Sequence, residues 1–266
     1  MILIKIGGGR KINWEYIAED VAELVKKEKV IIVHGASGIR DEVAKELKAP
    51  TRTVVSPSGV SSVYTDQKAL DIFLMAYAGL VNKKIVAALQ KNGVNAVGLS
   101  GVDGRLWEGK RKSNLYVQEG NKTKLITDNL TGKVEKINTH LINLLIKNNY
   151  VPVICPPAIS HNNEIINTDN DFAVAIMIKE LGIKTLISLF EAPGMLEKAR
   201  DEKSLISIIK RVQIDNYLQF AEGRMKKKLL GAKIAFENGV KIVYWGDGRI
   251  KHPIKSVLAG KGTIIN

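Results

Sequence analysis

The sequence predicts an α/β fold: a three-layer αβα sandwich with an open, mostly parallel central sheet, arranged as two lobes. Three observations predict it. Short continuous apolar runs, such as Val30–Val33, suit strands buried on both faces of a parallel sheet. Stretches with apolar residues at helical spacing alternate with them. Loops rich in glycine and small polar residues follow several of the runs, where an open α/β sheet places its ligands.

Ile2–Ile6 opens the chain as a strand, and Glu15–Lys27 follows as a helix with Ile17, Val21, Leu24 and Val25 on one face. Val30–Val33 is the second strand and Asp41–Leu47 the second helix. Thr65–Asn92 is long enough for two helices broken near Ala78-Gly79. Asn95–Leu99 is a strand. Ser113–Gln118 and Lys122–Ile126, joined through Glu119-Gly120-Asn121, form a β-hairpin. Helix Val134–Asn148, strand Val151–Cys155, helix Asp171–Leu181 and strand Thr185–Leu189 continue the alternation. Ser204–Val212 and Arg224–Asn238 read as helices, Lys241–Trp245 as a strand and Thr263–Ile265 as a final edge strand. Pro156-Pro157 stiffens a connection and marks the lobe boundary, giving residues 1–156 and 157–266.

The 266 residues are 45% hydrophobic and 25% charged, without low-complexity tracts or internal repeats. No apolar run approaches the roughly 18–20 residues of a membrane helix, and Lys5 interrupts the N-terminal run too early for a signal peptide. The single cysteine, Cys155, excludes an intrachain disulfide and a cysteine-based metal cluster. A cytosolic location and no metal ligated by side chains are the expectations. The balance of 40 Lys+Arg against 27 Asp+Glu, +13, favours an anionic partner: nucleotide, nucleic acid or an acidic protein. A merely lysine-rich surface would give the same total, so placement must decide.

Four loops carry the chemistry. Lys5-Ile6-Gly7-Gly8-Gly9 ends the first strand; its glycines let backbone N–H groups approach an anion, with Lys5 beside them. The spacing is neither a Walker A loop nor a Rossmann fingerprint. His34-Gly35-Ala36-Ser37-Gly38 opens a helix, a natural cradle for phosphate or carboxylate. His34 has no nucleophile or metal set to serve, and holding the loop is its expected role. Asn167-Thr168-Asp169-Asn170-Asp171 holds more polar side chains than a helix cap requires. Glu222-Gly223-Arg224-Met225-Lys226-Lys227-Lys228 puts cations at a helix start, which opposes the helix dipole unless an anion lies near. This inventory suits phosphoryl transfer by charge neutralisation and alignment.

In this order, the four loops resemble the amino acid kinase family over essentially the whole chain, and within it the acetylglutamate kinase branch. The resemblance implies ATP as phosphoryl donor with Mg²⁺ on its phosphates, and a dimer formed through the N-terminal lobe. Lys5 and Lys228 would flank the transferring phosphoryl group, Asp171 would hold both lysines, and Gly7 and Gly8 would donate N–H groups to phosphate. Gly35, Ala36 and Asn167 would bind the substrate, and ATP would lie near Phe190–Leu196 and Trp245–Gly248. Ala36 and Arg224 replace family glycines. Val63 stands where a substrate-clamping arginine is usual, so either Arg40 or Arg52 substitutes or the substrate differs from free acetylglutamate; Glu191 sits where the family commonly has a Thr-Asp or Thr-Asn pair at the adenine site. Because the chain starts at its first strand, arginine-inhibited hexamers are not expected.

A subgroup of that branch phosphorylates α-aminoadipate or glutamate while the amino acid is attached to a small acidic carrier protein, LysW. Ser56-Pro57-Ser58-Gly59 resembles it. Between Arg105 and Lys136 eight Lys and Arg face four acids, and Lys110, Arg111, Lys112, Lys122 and Lys124 are the expected docking residues on the hairpin. A kinase of free acetylglutamate is the alternative, and an isopentenyl phosphate or uridylate kinase fits less, because the former's histidine after the glycine loop is missing. A nucleic-acid binder would need aromatics interleaved with its cations; aromatics are 6% of residues and lie elsewhere.

Overall fold

A computed structural model describes all residues except 58–60, 121, 199–200, 220 and 222. Its central sheet consists of β1 (Ile2–Ile6), β2 (Val30–His34), β3 (Ala96–Ser100), β4 (Val151–Cys155), β5 (Thr185–Phe190), β6 (Ile208–Ile209), β7 (Ile242–Asp247) and β8 (Thr263–Ile265). The order across the sheet is β6-β8-β7-β5-β1-β2-β4-β3. Every neighbouring pair is parallel except β7 with β8.

The sheet separates two cores. Successive side chains of a strand point to opposite faces. In β1, Ile2, Ile4 and Ile6 therefore join Ile17, Val21, Phe73 and Leu89 of the helices Trp14–Leu24 and Gln67–Lys91. Leu3 joins the other core, with Ile142, Val174, Met177, Leu229 and Phe236 from helices Thr139–Lys147, Asn170–Leu181 and Gly223–Glu237. This is the αβα sandwich. The same parity sends Lys5 to the Leu3 face, toward the helices of the second core.

Above the C-terminal strand ends sits a smaller layer. Trp107–Arg111, Thr131–Ile137, Ala158–Ser160 and Ile165–Thr168 close into a four-stranded barrel. The hairpin forms as expected, from Leu115–Glu119 and Lys122–Ile126, with Gly120 at φ 58° supplying the left-handed turn conformation. A short antiparallel pair, Thr53–Val55 with Ser61–Val63, lies beside it.

Several elements differ from expectation. Gln67–Lys91 does not break at Ala78-Gly79; Met75–Val81 is a π-helical segment that carries the helix through. This helix is long and apolar enough to cross a membrane, with half of its most apolar window buried in the fold. Val134–Ile137 is strand, not helix, because Asn138 caps the following helix at the Leu141 N–H. The Ser204–Val212 helix is replaced by 3₁₀ turns and the strands Leu205–Ile206 and Ile208–Ile209, the latter pairing with β8. β8 is therefore interior and β6 is the edge. Ala158–Ser160 and Ile165–Thr168, just after Pro156-Pro157, pair with the barrel strands Trp107–Arg111 and Thr131–Ile137. Ser58, Gly59, Asn121 and Glu222 lie outside the described residues.

Candidate active site

The ends of β1 and β2 bring two glycine loops into backbone contact. A Cβ on Gly8 would sit 2.4 Å from the Ser37 nitrogen and 2.6 Å from that of Ala36, so only glycine permits the approach. The Gly38 N–H donates to the Gly8 carbonyl at 2.8 Å, locking the loops together. Gly35 and Ala36 thus face Gly8, with the helix Ser37–Glu46 starting there. One expectation needs correction. The Gly7 N–H donates to the Leu189 carbonyl at 2.8 Å and is committed to the sheet, which leaves Gly8 as the loop's candidate phosphate donor.

His34 is fully buried and holds the loop. Asn82 Nδ2 lies 3.0 Å from its Nε2 and also donates to the Val153 carbonyl at 3.0 Å. Nε2 therefore accepts, and Nδ1–H donates to the Gly35 carbonyl at 3.2 Å. Burial pushes the imidazole down to about 4, against the opposing effect of the Gly35 bond, so the ring is neutral at pH 7.

Lys5 and Asp171 form a direct ion pair, the lysine side chain 9% and the carboxylate 30% exposed. Strand parity aims Lys5 across the sheet face, and the start of helix Asn170–Leu181 aims Asp171 back. Burial raises the Asp171 carboxyl, but the Lys5 charge and hydrogen bond, helped by Lys228 and Lys227, outweigh it and hold the group below its ordinary value. Lys228 lines the same small cavity with Lys5, Asp171, Ser188 and Gly231. Its ammonium lies 4.2 Å from the Phe190 ring centroid. Asp171 touches Lys5 directly and acts on Lys228 through space.

The polar surplus before that helix divides by role. Asp169 supplies the N-cap, accepting from the Asp171 N–H at 2.8 Å. Asn167 donates to Thr65 Oγ1 at 3.0 Å, fastening the barrel to the Tyr64-Thr65 segment. Asp171, freed from capping, faces Lys5. Val63 occupies the end of the short pair, and Arg52 stacks 5.0 Å over the adjacent Tyr64 ring. Tyr64 donates to Asp128 at 2.6 Å; burial and that carboxylate push its phenol up to about 12. Arg40 pairs with Asp41 at 2.7 Å. Sequence reasoning missed the Tyr64–Asp128 link, which spans 64 residues without a local signature.

At the expected nucleotide end, Asp247 is bound by Arg249 at 2.6 and 2.8 Å and Glu191 accepts from the Lys11 N–H at 2.6 Å. Among the described residues no group of three His, Cys, Asp or Glu side chains is arranged to hold a metal ion. The donors present suit an anion instead: two lysines and a glycine loop.

The docking cations do not form one hairpin cluster. Lys110 and Arg111 belong to the barrel strand Trp107–Arg111, and Lys112 follows it; only Lys122 and Lys124 are on the hairpin. Arg111 bonds Glu164 at 2.5 Å and the Asn129 carbonyl at 2.9 Å, so it braces the barrel. Lys110, Lys112, Lys122 and Lys124 are exposed.

Residues 1–244 match the model of the amino acid kinase family. The chain is 44% identical over 268 residues to a [LysW]-aminoadipate kinase of Thermus thermophilus, covering 100% of both. It is 32% identical over 271 residues to a [LysW]-aminoadipate/[LysW]-glutamate kinase of Saccharolobus islandicus, covering 100% of this chain and 99% of the other. The fold superimposes on carbamate kinase from Giardia lamblia with a TM-score of 0.67 at 17% identity, over 99% of this chain and 97% of that one.

Proposed function

The chain belongs to the amino acid kinase family and is a phosphotransferase with a carboxyl acceptor, and from that premise we propose that it phosphorylates the side-chain carboxylate of α-aminoadipate, or of glutamate, carried on an acidic LysW-type protein. ATP is the phosphoryl donor and the product is an acyl phosphate, a step of lysine or arginine synthesis. The observation that supports the reading is the cleft in which the part-buried Lys5–Asp171 pair and Lys228 meet, within a chain 44% identical along its whole length to a [LysW]-aminoadipate kinase.

The acceptor carboxylate is already ionised, so no base is needed. Its oxygen forms the new P–O bond as the bond to the β-phosphate oxygen breaks, and that electron pair leaves with ADP. Lys5 and Lys228 neutralise charge that accumulates on the phosphoryl oxygens. Asp171 pairs with the Lys5 ammonium and orients it in its buried position. In this reading the Gly8 N–H donates to phosphate, and Gly35, Ala36 and Asn167 bind the acceptor. Mg²⁺, when bound, adds charge neutralisation on the phosphates. Lys110, Lys112, Lys122 and Lys124 attract the carrier. A cytosolic homodimer is the expected form.

Hydroxylamine traps acyl phosphates as hydroxamates. With ATP and carrier-linked aminoadipate, the reading expects equal yields of ADP and hydroxamate. ADP without hydroxamate would mean that the acceptor is not a carboxylate.

A further inference from the structure

We infer that the open cleft between the loop leaving β1 and the C-terminal end of helix Gln67–Lys91 binds a small organic dianion. The cleft measures about 590 Å³, a volume suited to a metabolite. Lys11, Trp14 and Glu15 line one wall, and Lys84, Ala87 and Lys91 the other. It shares no lining residue with the cleft of Lys5, Asp171 and Lys228. The two also lie on opposite faces of the central sheet, each against its own core. The site is therefore separate from phosphoryl transfer.

Charge sets the sign of the ligand. The lining holds three lysines and one acid, a surplus of two positive charges. Lys91 meets Glu15 at 3.5 Å with both side chains more than half exposed, which is a weak pair. Neither the Lys11 nor the Lys84 side chain forms an ion pair with another described residue. Shape sets the rest. Lys84 and Lys91 stand two turns apart on one side of the helix, about 10 Å along its axis. Between them the cleft is floored by the methyl groups of Ala87 and Ala88. Trp14 adds an aromatic wall, its ring set edge-on to His34 with centroids 6.0 Å apart. An inorganic ion would leave this apolar surface uncovered, whereas an organic body between anionic groups covers it.

Tryptophan fluorescence tests the site, with saturating AMP-PNP keeping the nucleotide cleft occupied. Trp107 and Trp245 are buried, so Trp14 is the ring that a ligand in this cleft can reach. The probes are phenyl phosphate, which joins a ring to a dianion, glutarate, which carries two carboxylates, and inorganic phosphate, which offers charge alone. Phenyl phosphate or glutarate should quench Trp14 with a Kd about tenfold or more below that of inorganic phosphate. The tighter of the two tells a phosphomonoester ligand from a dicarboxylate. Lys84→Ala should weaken that binding about tenfold. Glu15→Gln removes the competing carboxylate and should tighten it several-fold, a gain that no folding defect would produce. Trp14→Phe should abolish the quench. The site is overturned by a quench that neither Lys84→Ala nor Glu15→Gln alters, by one that survives Trp14→Phe or needs AMP-PNP to be absent, by organic probes no tighter than inorganic phosphate, or by no quench at all.

Discussion

Lys5 shows how one residue's place in a strand sets its chemistry. Alternation along β1 puts it on the Leu3 face, and a lysine only 8% exposed needs a counter-charge there, which Asp171 supplies. Lys5→Ala and Lys228→Ala should each lower kcat by about 100-fold or more, roughly 3 kcal/mol of transition-state stabilisation, with smaller changes in KM. Steady-state kinetics with unchanged kcat and raised KM would reduce the lysines to binding groups. Asp171→Asn should fold, since Asp169 supplies the cap, yet lose kcat to a similar degree. Normal kcat in a folded Asp171→Asn protein would leave the carboxylate only a partner for a buried cation. At this scale the surplus of polar residues before the helix singles out Asp171, and the structure pairs that carboxylate with Lys5. The sequence does not show that the Gly7 N–H is already bonded, because that depends on Leu189, far away in the chain.

Among the elements, legibility followed the range of the interactions. Strands buried on both faces, such as β1, β2 and β4, were readable because burial writes a continuous apolar run. Thr131–Ile137 was not, since its partners Trp107–Arg111 and Ile165–Thr168 are distant and its bulge breaks the alternation. The basic stretch was legible as charge but not as placement. Arg111 in particular is a brace: with Glu164 and the Asn129 carbonyl it ties three segments together. Arg111→Ala should therefore cost about 1–3 kcal/mol in urea unfolding, the usual penalty for stripping charged hydrogen bonds. The salt dependence of the carrier KM should stay as in wild type. A variant of normal stability with a flattened salt dependence would return Arg111 to the docking surface.

For the molecule as a whole, His34 sets a limit in acid. Its folded value of about 4 is below the unfolded value near 6.5, so between them the unfolded chain binds more protons and stability rises with pH. Acidification through that window should remove up to roughly 3 kcal/mol from this group. Urea titrations of wild type and His34→Gln at pH 7, 5.5 and 4.5 should show the gap between them narrowing as pH falls. A constant gap would mean that His34 does not titrate in this range. The +13 charge acts over the whole molecule through steering, which salt screens as the Debye length shrinks from about 30 Å at 0.01 M to about 10 Å at 0.1 M. The central claim is that this charge serves an acidic carrier whose bound amino acid is phosphorylated in the Lys5–Asp171–Lys228 cleft. Its most direct test is kcat/KM, measured from low to high salt, for carrier-linked aminoadipate and for free acetylglutamate. The account predicts turnover of the carrier-linked substrate with kcat/KM falling steeply as salt rises, and little turnover of the free acid. Efficient, salt-independent turnover of free acetylglutamate would contradict it.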